Sequence, residues 1–484
     1  MAVFPGCRVI AALVVLLVTL PAIVRPQSQV VVFTHANVID GSGAEMARDM
    51  TVTIADGRIS DLQASGTSAP PSSARVIDAT NKFLIPGLWD MHVHWYDARL
   101  LGLFLANGVT GIRVMWGMPL HLEWRSNFNA STLVGPRMFI GSAIFDGPNP
   151  VWPRSTVISD AAEAKAAVAA AKQNGYDFIK VYNRLSRDAY FAIAEESARQ
   201  GLSFAGHVPN AVTAGEASDA HQKSIEHLTG ILSSVSSAEA EVRKRAAEVS
   251  TAGNAAVGIS AESRAALREL QERILATYDA EKASALYARF VRNGTWMCPT
   301  LVVLRSGASL DDPSFVADPR LKYMPPGIRT SWDPANAPLF KTKTAADYEV
   351  GRRTLRKQYE VVGAMNRAGV RIIAGTDVLN PFVFPGFSLH DELALLVEAG
   401  MTPAQALRAA TGGAAEFMGR NDVGIVKRGN LADLVLLDAN PLENIRNTTR
   451  IAAVVANGRL YDRTALDRLL ADAEKVANPG AGMD

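Results

Sequence analysis

Eight short apolar runs alternate with helical stretches through the middle of this chain, at residues 84–94, 109–115, 137–144, 178–182, 203–208, 224–228, 296–303 and 371–377. Two of the intervening stretches, 159–174 and 187–200, stop near Gly175 and Gly201, the residue type that most readily ends a helix. A strand that reaches its neighbour through a helix pairs with it in parallel. Eight such units close into a (β/α)8 barrel of the α/β class, whose reactive groups belong at the carboxyl ends of the strands. A doubly wound open sheet is the competing arrangement. It calls for a Gly-rich phosphate turn after an early strand, and none is present.

The two ends of the chain read differently. Residues 30–33, 37–41, 51–54 and 75–77 are short alternating runs broken by turns, with Asp56–Gly57–Arg58 among the breaks, and predict a small antiparallel sheet. The same style returns at 432–437, 451–457 and 458–461, where Asn457–Gly458 is a strong hairpin signal. The expected organisation is a composite β-sandwich domain built from 29–83 and 421–463, a barrel over 84–420, and a helix and tail over 464–484. Helical stretches at 238–248 and 261–292 and an irregular proline-bearing segment at 305–346 form insertions at about 230–345. Connections of that length read as a lid or binding loop, or as a surface excursion.

Arg8 precedes an apolar run over 9–24 that ends in Arg25, Pro26 and polar residues. The run is shorter than the roughly 20 residues a spanning helix needs, and it suits a signal peptide over 1–28. Export to the periplasm or beyond follows. An uncleaved anchor is the alternative, because no Ala-x-Ala site follows the run. No later apolar stretch is long enough to cross a bilayer. A net charge of +1 gives no electrostatic footprint for nucleic acid or anionic lipid. Of the two cysteines, Cys7 and Cys298, only Cys298 lies outside the signal segment, so no internal disulfide is expected in the processed chain.

Metal-binding residue types fall at the strand ends. His92 and His94 close the first run two residues apart, so both imidazoles point the same way. His207 and His227 close the fifth and sixth runs, and Asp377 the eighth, which adjoins the first in a closed barrel. Lys180 sits inside the fourth, where a bare ammonium is costly to bury. Neutralisation relieves that cost, and so does reaction with carbon dioxide to an anionic carbamate whose two oxygens suit two metals. Arg113 and Tyr182 are candidates to face the cavity and bind a substrate carboxylate or the oxyanion, with a purely structural role the alternative for each. His390 follows the eighth run at the start of a helix.

With these residues, Gly375–Thr376–Asp377, the stretch 386–393 (GFSLHDEL) and the ending 429–435 (GNLADLV), the chain resembles the amidohydrolase superfamily. The resemblance is to its binuclear, imidazolonepropionase-like branch, which includes prolidase-type (Xaa-Pro) dipeptidases, and it covers nearly everything after residue 30. It implies that His92 and His94 bind the more buried of two divalent ions, His207 and His227 the other, and carbamylated Lys180 bridges both. Asp377 would ligate the first ion and shuttle the proton. Zinc fits the N/O ligand set, with manganese or cobalt close behind. The implied activity is hydrolysis of a C–N amide bond in a small-molecule substrate, a dipeptide or N-acyl amino acid, by water that the two ions acidify. A lactonase or phosphotriesterase using the same site is the alternative within catalysis, and a silent metal-binding barrel the alternative outside it. Homo-oligomerisation is compatible with the sequence.

Overall fold

The computed structural model describes residues 30–250, 253–254 and 258–479, so the expected signal segment lies outside the described residues. Seven strands pair in parallel in chain order: Leu88–Val93, Val109–Val114, Arg137–Asp146, Phe178–Val181, Ser203–Gly206, Ser224–Glu226 and Trp296–Cys298. The eighth stave is residues 371–378, an extended segment rather than a regular strand. It bridges Met297 through Ile372 on one side and Val93 through Val378 on the other. Met91 N–H donates to the Ala374 carbonyl at 2.9 Å and Asp377 N–H to the His92 carbonyl at 2.8 Å, which closes the barrel. Gly375 permits that closure: a Cβ there would lie 2.7 Å from Cys298 Sγ and 2.8 Å from His92 N.

The first apolar run divides in two. Phe83–Pro86 belongs to the small sheet and Leu88–Val93 to the barrel, with the chain crossing between them at Gly87. The run at 296–303 also ends early, at Cys298, and Leu301–Ser309 continues as a helix. A short apolar run has no period that separates strand from helix, which is why both read as single strands. The long helical stretch at 261–292 is two helices, Ala261–Ala276 and Ala280–Asn293. The second buries Ala283, Leu286, Tyr287 and Phe290 on one face, is capped by Asp279 at its start and ends at Gly294 in the left-handed region. Burying each large side chain there contributes about 1.5–3 kcal/mol. The segment at 305–346 is less irregular than expected, holding short helices at Pro313–Val316 and Pro326–Trp332.

The small domain is one continuous eight-stranded sheet drawn from both ends of the chain, rather than two separate sheets. It is also mixed. Arg75–Asp78 and Phe83–Pro86 run parallel to Val31–Val38, because neither is joined to it by a tight turn that would force reversal. Its arms share one core, in which Val31, Phe33 and Ile54 pack with Leu434, Leu436 and Val455. Asn457 and Gly458 have φ of 51° and 74°, the left-handed pair that a two-residue hairpin requires. The chain then forms the helix Arg463–Ala477.

Candidate metal centre and cavity

His92 closes the first barrel strand, fully buried, and donor–acceptor pairing fixes its ring: Nδ1 lies 2.8 Å from Glu226 Oε2. Its Nε2 is 3.2 Å from His94 Nε2 and 3.2 Å from Asp377 Oδ1, and His94 Nε2 is 3.1 Å from that same oxygen. These three atoms form a triangle of ligand size. Zinc bonds of about 2.0–2.2 Å set neighbouring tetrahedral ligand atoms roughly 3.3 Å apart. His227 Nε2 approaches the other carboxylate oxygen, Oδ2, at 3.8 Å.

The second pair of histidines is oriented by the same device. His207 Nδ1 is 2.6 Å from Asn183 Oδ1, and His227 Nδ1 is 2.6 Å from Thr300 Oγ1. In three of the four rings, therefore, Nδ1 is occupied by an oxygen and Nε2 is left for a ligand, the arrangement that fixes tautomer and basicity in metal sites. The rings of His92 and His207 lie 4.5 Å and 4.8 Å from that of His227, so the two pairs form one cluster. His227, Thr300 and Asp377 all hold positive φ, at 56°, 48° and 62°. Each such residue costs on the order of 1–3 kcal/mol, a strain typical of residues aimed at a site.

Electrostatics suit cations. Burial, reinforced by Lys180, holds the imidazoles of His92 and His207 well below their ordinary range, and burial brings His227 down to about 4 despite Asp377. They are neutral, with lone pairs to give. Burial alone would raise Asp377, but its neighbours His227, His94 and Lys180 favour the carboxylate and pull it below the ordinary value, so it is ionised. Lys180 is wholly buried, its Nζ has no hydrogen-bond partner, and burial lowers it to about 8 in spite of Glu226 and Asp377. An orphaned buried amine beside neutral imidazoles and a carboxylate fits a pair of divalent cations joined by a carbamate. His94 Nδ1 is likewise buried without a partner.

Arg113 does not line the cavity. It is fully buried beneath the histidines, donating from Nη2 to Glu226 Oε2 at 2.8 Å, from Nη1 to Ser224 Oγ at 3.0 Å and from Nε to the Met91 carbonyl. Removing one partner of such a buried pair costs about 3–5 kcal/mol, so its charge is committed to the scaffold rather than to a ligand. Tyr182 does line the cavity. Its ring lies 3.9 Å from that of His207 and its hydroxyl accepts the Trp152 indole N–H at 2.7 Å. His390 is buried away from the site, bonded to Thr448 and to the Asn107 carbonyl.

The cavity has a volume of about 240 Å3 and is lined by His94, His207, His227 and Asp377 on the metal side and by Tyr96, Trp116, Ile144, Trp152, Tyr182, Leu379 and Asn380 around them. None of these residues comes from the insertions at 230–345. Two residues act from behind the cavity: Thr300, just past the seventh strand, orients His227, and Trp332, in the 305–346 segment, donates to the Leu379 carbonyl at 3.3 Å and packs on Phe382. Glu226, Asn183, Thr300, Trp116 and Trp152 were not singled out from sequence, although Glu226 and Asn183 adjoin residues that were.

The comparisons bear on the family and the fold. The Amidohydrolase family profile matches residues 103–461, more than half of the chain. The solved structure of a bottromycin amidohydrolase is 28% identical with a TM-score of 0.74, over 94% of this chain and 91% of that one. A Xaa-Pro dipeptidase with methionine bound in its active site shares the fold, at 18% identity and a TM-score of 0.61, over 90% of this chain and 100% of that one. An imidazolonepropionase from Cutibacterium acnes is 49% identical over 73 residues, which are 15% of this chain and only 18% of that relative. The chain belongs to the Amidohydrolase family, hydrolases of carbon–nitrogen bonds that generally use divalent metals.

Proposed function

We propose that this protein is an exported, binuclear metal-dependent hydrolase that cleaves an amide bond in a dipeptide or N-acyl amino acid. The observation that carries the reading is the clustering, at the carboxyl ends of barrel strands, of four imidazoles, one carboxylate and one unpartnered buried lysine, with His94, His207, His227 and Asp377 lining one cavity and His92 and Lys180 buried behind them. His92, His94 and Asp377 would hold one cation, His207 and His227 the second, and Lys180 would bridge them after its neutral amine adds to carbon dioxide and releases a proton. Bound divalent cations supply a Lewis acid for the scissile carbonyl and bring the pKa of water toward neutrality.

The chain's own groups do the rest. Asp377, ionised and beside both histidine pairs, accepts the water's proton and passes it to the departing amine. Burial raises the Tyr182 phenol, so it stays protonated, and because its oxygen already accepts from Trp152 its own O–H is free to donate to the developing oxyanion or to substrate. The family membership and the dipeptidase neighbour support an amide substrate.

A hydrolysis screen of dipeptides, N-acyl amino acids, lactones and phosphotriesters tests the reading. Amide turnover should vanish on chelation and return with zinc and bicarbonate. Lactone or phosphotriester turnover far above every amide would favour the rival chemistry, and no turnover with metal bound would favour a silent barrel. Among the described residues no helix is long and apolar enough to cross a membrane. Export rests on the run at 9–24, and protein from its native envelope should begin between about Ala22 and Val30. An intact Met1 in a cytosolic fraction would contradict export.

A further inference from the structure

We infer that the cavity selects an amide flanked by an aromatic or bulky apolar side chain, and that no cationic side chain clamps a substrate carboxylate there. The inference rests on the hydrolase reading above and names the substrate class of that site. Away from the metal side the cavity is walled by Tyr96, Trp116, Trp152, Tyr182, Ile144 and Leu379. The wall is continuous. The Trp116 ring lies 6.5 Å from His94, 6.3 Å from Tyr96 at right angles to it, and 6.3 Å from Trp152, which is tied to Tyr182.

The wall is also set before any ligand arrives. Asp146 is fully buried and its carboxylate accepts backbone N–H groups from Gly147 at 3.0 Å, Val151 at 2.9 Å and Arg184 at 2.6 Å. One side chain therefore joins the loop that carries Trp152 to the loop that follows Tyr182. Rigid aromatic walls with edges and faces of defined orientation favour a flat apolar group through contact area and ring quadrupoles.

The charges point the same way. Among the described residues no lysine or arginine lines the cavity, and the one acid that does is Asp377. Arg113 is spent on Glu226, and Arg154, whose charge acts on Tyr96, is itself exposed. A substrate carboxylate drawn inside would meet no cationic side chain along the aromatic wall, so only the metal side could offset the water it loses. A neutral amide or peptide continuation meets no such penalty, and Asn380 lines the cavity as a polar partner.

Quenching of tryptophan fluorescence, read within seconds of mixing, measures the preference as binding rather than turnover. The ligands are N-acetyl-phenylalaninamide, its free acid N-acetyl-phenylalanine, and N-acetyl-alaninamide, each added to the metal-loaded protein. The aromatic amide should bind at least about 10-fold more tightly than the alanine amide and no more weakly than the acid. Trp116→Ala and Trp152→Ala should each cut the aromatic advantage several-fold, and Trp116→Leu, which keeps an apolar filling and guards against a misfolded alanine variant, should cut it less. The inference is overturned if the acid binds 10-fold more tightly than the amide, if phenylalanine and alanine ligands bind alike, or if the preference survives in all three variants. A chain that shows the preference yet hydrolyses no amide refutes the proposed function alone. A chain that hydrolyses amides without the preference refutes this inference alone.

Discussion

Lys180→Ala should lose both turnover and bound metal. The side chain is wholly buried with no partner for Nζ, so the protein carries its desolvation cost for something other than local packing. If that purpose is to bridge two cations as a carbamate, truncation removes a ligand from each at once. The loss of metal affinity should exceed the roughly 10–100-fold that an outer partner such as Asn183 or Thr300 is worth. Adding a short carboxylic acid to the variant should restore part of both, since its two oxygens can occupy the space the carbamate leaves. Elemental analysis and assay of the same preparations check this. Wild-type metal content and activity in Lys180→Ala would show that the amine is merely a tolerated core residue.

Asp377→Asn should fail in a different way. The amide oxygen still ligates weakly, but it cannot take a proton. Turnover should therefore fall by roughly 10²–10⁴, the usual worth of a positioned acid–base group, with metal largely retained. The geometry behind this is the triangle of Asp377 Oδ1 with the Nε2 atoms of His92 and His94, and the approach of Oδ2 to His227. Near wild-type turnover on an authentic substrate, at confirmed metal content, would remove the proton-shuttle role. The two variants together separate bridging from proton transfer, because only the first should empty the site.

Much of this arrangement is legible in the sequence, for a physical reason. Barrel topology sends every parallel strand's carboxyl end to one face, so residues as distant as His92 and Asp377 can be placed together once their runs are recognised as strands. Depth within the barrel is harder to read. Arg113 stands one residue before the end of its strand, yet it points into the interior beneath the cavity, where its partner is Glu226, the residue just before His227. A pair of opposite charges inside two apolar strands was the available signal. The aromatic wall was harder still. Trp116 and Trp152 lie on loops, the first held by the Gly117 N–H on the Ser142 carbonyl and the second by Asp146, which also binds the Arg184 N–H, and no local period announces them. Likewise Pro299 and Thr300, with Thr300 at positive φ, turn the run at 296–303 from strand to helix, a change that apolar composition alone conceals.

On this proposal the six side chains hold two divalent ions in one centre. The most direct measurement is the number of ions per chain, by elemental analysis of protein purified without chelator and then incubated with zinc and bicarbonate. About two per chain are expected, from two ligand clusters joined through Lys180. A reproducible single ion, unchanged by added zinc and bicarbonate, would contradict the proposal.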